Sequence, residues 1–145
     1  MKTQRDDIWL LSRLDYLWSK YFEDISQTNK VFIKFGRYAR LRLGSIKLDK
    51  KTESSVITIT GMFKDPKVPV AVIDCTIGHE LVHYTHGFSS SRRRLFRYPH
   101  EGGVVKREMM ERNMGSLFQA YKEWMKGYRH ELIESSRRKR NYGLF

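Results

Sequence analysis

Two histidines and a glutamate stand inside an apolar segment, as His79-Glu80-Leu81-Val82-His83. Around them Val70, Val72, Ile73, Ile77, Leu81 and Val82 recur at helical spacing, which predicts a helix over 70–86 stopped near Gly87. Residues four apart on a helix lie about 40° apart around the axis and one turn apart along it. His79 and His83 can therefore reach one point in space, with Glu80 beside the first of them. Leu81 and Val82 belong to the buried back of such a helix. The fold must thus bury this helix and still open a polar site along one face of it.

That spacing suits one tetrahedral zinc, with Glu80 placed to act on a water as general base and then to protonate a leaving amine. A catalytic zinc takes a third protein ligand and keeps one position open. His100 is the first candidate, Glu108 the second and His86 a distant third. His86 lies more than about 10 Å along the helix from His79 at ~1.5 Å per residue. Glu101 and Glu111 rank behind these. The single cysteine, Cys75, is read as buried core, and it excludes both an intrachain disulfide and a cysteine-rich zinc site. Low cysteine usage points to a reducing compartment, cytoplasmic or nuclear.

The rest of the chain predicts a single α+β domain over 1–134, followed by a basic tail over 135–145. An amphipathic helix is expected over 5–25, on Ile8, Leu11, Leu14, Tyr16, Leu17, Trp18, Tyr21, Phe22 and Ile25, with Trp9 and Leu10 widening the stripe. Residues 30–60 then switch to period two. Val31, Ile33 and Phe35 form one strand, Leu41 to Leu48 a second, and the β-branched run Val56 to Thr60 a third. Short links favour an antiparallel sheet. The Val56–Thr60 strand is either a core strand or an edge that pairs with a substrate backbone. A Ser-, Arg- and Gly-rich loop over 88–103 leads to a closing helix from Val104 to about Lys126, which 127–134 can extend. Tyr84 and Tyr98 are better read as packing groups than as oxyanion donors. His130 is expected at the surface.

Charge adds a partner class. Lysine and arginine total 28 against 16 aspartate and glutamate, a formal net charge of +12. Such a balance favours a polyanion, and nucleic acid first. Arg92, Arg93, Arg94 and Arg97 follow the histidine-bearing helix and alternate with Phe96 and Tyr98, a combination that suits single strands. Arg137, Arg138, Lys139 and Arg140 form a second cluster, and Arg37, Arg40, Arg42 and Lys47 a third. No apolar run approaches the ~20 residues of a membrane span. A signal-peptide pattern is not expected at the N-terminus, and the chain is expected to be a monomer.

Several of these segments together resemble the SprT-like zinc peptidases, the Spartan type. Leu43-Gly44-Ser45-Ile46 and Ser55 to Ile59 are similar to the strand pair before that family's active helix. Val68-Pro69 through Thr76 to Tyr84 resembles the helix itself, and His100-Glu101-Gly102-Gly103 its later histidine- and glycine-containing segment. The resemblance runs over about residues 10–125. It implies a zincin-like fold with an N-terminal helix, a small antiparallel sheet, the active helix and a closing helix. It also implies zinc on His79, His83 and a third histidine, which favours His100, with Glu80 catalytic. That family often writes the later segment as Glu-Gly-His-Gly, which would align Gly103 with the ligand, so Glu108 stays a candidate. The implied activity is endopeptidase cleavage of proteins bound or crosslinked to DNA. The rival reading is an inactive DNA-binding module with a structural zinc.

Overall fold

The computed structural model describes residues 4–142, with side chains as far as Arg137. The chain forms four α-helices and one three-stranded sheet, a small α+β domain. Helix α1 spans Asp7–Tyr21, strands β1, β2 and β3 span Val31–Phe35, Gly44–Asp49 and Ser54–Ile59, and helix α2 spans Val70–Thr85. Helices α3 (Val104–Glu111) and α4 (Gly115–Tyr142) close the chain. No helix among the described residues is long and apolar enough to cross a membrane.

Helix α1 starts where Asp6 accepts the Trp9 N–H at 2.8 Å, a side-chain N-cap. Its buried stripe is Leu10, Leu14 and Leu17. Ile8, Leu11 and Tyr16, expected on that stripe, are exposed. Helix and core align on the narrower set because Leu10, Leu14 and Leu17 repeat at i, i+4 and i+7. Arg13 on the polar side of α1 forms a two-pronged ion pair with Asp74 of α2, at 3.0 and 2.6 Å. Arg5 donates to the carbonyls of Phe63, Asp65 and Val68, which fixes the segment that leads into α2.

The sheet is mixed, which corrects the expectation of an antiparallel one. Its order is β1-β3-β2, with β3 antiparallel to β2 and parallel to β1. The short-link argument holds for the β2–β3 hairpin. It fails for β1, because the segment 36–43 carries the chain clear of β1 and leaves room for β3 to insert. The insertion places the most β-branched strand in the centre, where Ile57 and Ile59 are fully buried. Leu41, expected in the second strand, lies in the 36–43 segment and is almost wholly exposed.

Helix α2 is the centre of the domain. It touches β2 and β3 on one side and α1, α3 and α4 on others. Val72, Ile73, Ile77, Val82 and Tyr84 are fully buried along it. Burial of each such side chain is worth about 1.5–3 kcal/mol relative to exposure, so α2 is held as a rigid element. The closing helix is broken in two. Asn113 takes a left-handed conformation (φ 63) between α3 and α4, which an asparagine tolerates. Met114 then fills the space beside Gly78 of α2. Helix α4 continues past residue 134 as far as Tyr142, so the backbone of 135–142 is helical where a separate tail was expected.

Candidate metal centre

His79 and His83 stand one turn apart on α2, as the spacing requires. His100 comes from the other direction, at the end of the 88–103 loop. Gly87, at φ 85, ends α2 and turns the chain into that loop. A Cβ there would lie 2.4 Å from the Arg93 carbonyl oxygen, so the loop closes onto its own start through a glycine. The Leu95 N–H donates to the His86 carbonyl at 2.9 Å, and Phe96 packs edge-on against the His86 ring. The Tyr98 N–H donates to the Glu101 carboxylate at 3.0 Å. Gly102 and Gly103, both at positive φ, reverse the chain into α3 immediately after His100. These contacts bring His100 over the face of α2.

The three Nε2 atoms form a nearly equilateral triangle. His79 and His83 are 3.1 Å apart, His83 and His100 3.1 Å, and His79 and His100 3.2 Å. A neutral imidazole Nε2 offers one N–H or one lone pair in the ring plane, so three such atoms cannot satisfy one another by hydrogen bonds. A cation shared by three lone pairs does satisfy them. Ligands at the usual Zn–N length of ~2.0–2.1 Å in tetrahedral geometry stand about 3.3 Å apart, close to what is found. The three histidines lie close enough together to hold one metal ion. Burial holds His83 down to about 3 and His79 down to about 4, each aided by neighbouring imidazoles. Both are thus neutral, the form that binds a metal.

Glu108 takes no part in this triangle. Its Oε1 lies 3.0 Å from His86 Nε2, and its Oε2 accepts from Arg112 Nε at 2.9 Å. Arg112 also grips both carboxylate oxygens of Asp24, at 2.7 and 3.0 Å. His86 and Glu108, two of the alternative ligands, are thus partners of each other. Glu101 is spent on the Tyr98 N–H.

Glu80 lies against the same cleft as His79 and His100, a cavity of about 730 Å³ between residues 40–44, α2, α3 and α4. Burial pushes its carboxyl up to about 7, while the Arg42 charge pulls the other way. Glu80 as a whole residue is only 5% exposed. Gly44, at the start of β2, makes room for it. A Cβ at 44 would stand 2.8 Å from Thr76 Cγ2 and 3.4 Å from Glu80 Oε1.

Strand β2 is an open edge of the sheet, and β3 is not, so the edge-strand alternative for Val56–Thr60 is overturned. The Thr60 N–H donates to Leu43 O at 2.9 Å, which fixes the alternation along the β2–β3 ladder. Gly44, Ile46 and Leu48 therefore turn their N–H and C=O groups away from β3 and toward the open edge. The hydrophobic pattern alone could not have found this, because the order of strands is a long-range property.

No family model, curated protein or solved structure matches this chain. The site thus rests on its own geometry.

Other expected residues divide by environment. Tyr84 is fully buried, donates to Asn29 Oδ1 at 2.7 Å and packs edge-on against Trp18, a packing role. Cys75 is buried, and burial pushes its thiol up to about 12. Arg92 is half-buried and donates to the Ser26 carbonyl at 3.1 Å, so it pins the loop. Arg93, Arg94 and Arg97 are exposed, with Arg94 over the Phe88 ring and Arg97 over Tyr98. Arg137 is exposed beside Glu134. The side chains of Arg138, Lys139 and Arg140 lie outside the described residues. His130 is exposed. The sequence reading singled out neither Lys106 nor Arg129, which line the cleft with Arg40 and Arg42.

Proposed function

We propose that this chain is a zinc-dependent endopeptidase of the SprT-like type, acting on proteins bound or crosslinked to DNA. The observation that carries the reading is the meeting of three groups in one cleft. These are the His79, His83 and His100 triangle, of which His79 and His100 line the cleft, the Glu80 carboxyl, and Gly44, the first residue of the open-edge strand β2. Three protein ligands, with no fourth among the described residues, is the count of a catalytic zinc site and not of a structural one.

His79, His83 and His100 would hold the ion through Nε2. Bound there, zinc supplies Lewis-acid polarisation of a carbonyl and a more acidic water. A substrate backbone pairs with the outward N–H and C=O groups of Gly44, Ile46 and Leu48, which aligns a peptide bond beside α2. Glu80 takes a proton from the attacking water as its oxygen adds to the carbonyl carbon. The same carboxyl then gives that proton to the amine nitrogen as the C–N bond breaks. Exposed Arg93, Arg94 and Arg97 lie on the loop that ends in His100, which supports DNA contact beside the cleft.

The first test is zinc per chain in the wild type beside His79→Ala. About one zinc in the wild type and little in the variant is expected. Cleavage of a DNA-bound protein is then followed with and without single-stranded DNA, beside Glu80→Gln. A peptidase loses turnover in Glu80→Gln and keeps its zinc. Equal behaviour of the two proteins, with zinc bound and no cleavage by either, would leave a DNA-binding module.

A further inference from the structure

The cleft has a charge pattern of its own. Arg40 and Arg42 stand on one wall, and Lys106 of α3 and Arg129 of α4 stand on others. All four are exposed, and none pairs with a carboxylate among the described residues. Glu80 is the one carboxylate among the lining residues, and it is buried. Between the cations the lining is apolar and aromatic, with Met109, Phe118, Tyr121 and Met125. The segment bearing Arg40 is fixed in place. Tyr128 of α4 donates to the Arg40 carbonyl at 2.7 Å, and Thr60 Oγ1 accepts from the Ala39 N–H and donates to the Ala39 carbonyl.

From this we infer that the cleft selects acidic peptide segments that carry a large apolar side chain. The inference rests on the peptidase reading for what happens next, but not for binding. An extended peptide on the β2 edge places its side chains alternately toward and away from the cleft. An apolar side chain enters between Met109 and Phe118, and aspartate or glutamate on either side of it meets Arg40, Arg42, Lys106 or Arg129. Four unpaired cations over a low-dielectric lining attract anions more strongly than the same charges on an open surface. A basic segment would be repelled by them, so the selection acts in both directions. Peptide is favoured over nucleic acid here because the open edge of β2 begins at the cleft, at Gly44, and its outward backbone groups match another backbone.

The test uses the full chain loaded with zinc, as Glu80→Gln so that turnover does not interfere. Fluorescein-labelled peptides with a central leucine or phenylalanine are compared, flanked by Asp and Glu, by Lys and Arg, or by Ser and Gly. At low salt the acidic peptide is expected to bind at least about tenfold more tightly than the basic one, the effect of two modest charge contacts. In Arg40→Glu/Arg129→Glu, both exposed sites, two positive charges then stand against two negative ones, and the preference for the acidic peptide is expected to disappear, with unchanged thermal unfolding as the check on folding. Equal binding of all three peptides, or no binding of any, would overturn the proposal. So would displacement of the acidic peptide by an oligothymidine whose own binding is lost in the double variant, since the cations would then serve phosphate. Wild-type cleavage of the same peptides separates the two readings. Charge-blind cleavage keeps the peptidase and overturns the selectivity, whereas charge-selective binding without cleavage keeps the selectivity and overturns the peptidase.

Discussion

His86 and Glu108 are hydrogen-bonded to each other at 3.0 Å, behind the histidine triangle and not within it. His86 is almost completely buried, and Glu108 spans from it to Arg112. The pair locks the end of α2 to α3. Glu108→Ala should therefore keep about one zinc per chain, while His100→Ala should lose most of it. The cost of Glu108→Ala is stability, about 1–3 kcal/mol for the buried partner left unpaired. Metal analysis and urea unfolding of both variants check this. Zinc loss in Glu108→Ala with retention in His100→Ala would reverse the assignment.

Gly87 is the hinge between the two histidines of α2 and the loop that delivers His100. An alanine there meets both a left-handed backbone and the Arg93 carbonyl oxygen at 2.4 Å. Gly87→Ala is expected to cost about 1–3 kcal/mol from backbone strain before any clash. Zinc affinity should fall with it, because His100 moves with the loop. Gly102→Ala, where a Cβ would meet nothing within 4 Å, is the comparison that carries positive φ without the clash. Equal melting temperatures and zinc affinities for the two variants would count against the hinge.

Cys75 should be unreactive in the folded chain. Burial, with the Asp74 charge second, pushes its thiol up to about 12, against about 8.5 for a free thiol. The folded state therefore keeps the proton where the unfolded state begins to release it. The stability this contributes is present below about pH 8.5 and falls as pH rises above it. Ellman's reagent at pH 8 should find no thiol in the native protein and one after denaturation in urea. Rapid native labelling would show that the reagent reaches Cys75 through the cleft it lines.

Asp24 gives the acid side. Its hydrogen bond from Arg112 holds its carboxyl below the usual carboxylate range. A depressed carboxylate adds stability above its unfolded pKa of about 4, and that stability is lost as pH falls through the lower folded value. The group is mostly exposed, so the effect is modest and screened by salt. The stability gap between wild type and Asp24→Asn should be open at pH 6 and close toward pH 3. A gap independent of pH over that range would assign the Asp24 effect to something other than its charge.

The local part of the site was legible in the sequence because helical spacing is a local rule. His79, Glu80 and His83 follow from the i, i+4 relation alone, and the first strand of the sheet follows from alternation. His100 needed the 88–103 loop to turn back, which Gly87, Gly102 and Gly103 permit but whose end point no pattern specifies. The exclusion of Glu108 depended on its partner His86, brought to it by the packing of α3 on α2. The mixed sheet escaped for a similar reason. Alternation marks a strand but is silent on its neighbours, so Val56 to Thr60 read equally as edge or centre. The basic wall of the cleft was half visible, in Arg40 and Arg42. Lys106 and Arg129 come from helices whose approach only tertiary packing decides.

The position of β3 between β1 and β2 also bears on how the chain is made. A chain emerging from the ribosome presents β1 and β2 first, and these are never neighbours in the finished sheet. β1 acquires its partner when β3 arrives, after the hairpin has turned. Helix α2 is the next long element in the chain, so the surface that receives it is complete only just before it is needed. A nascent chain that stops after Asp49 holds two strands with nothing to join them.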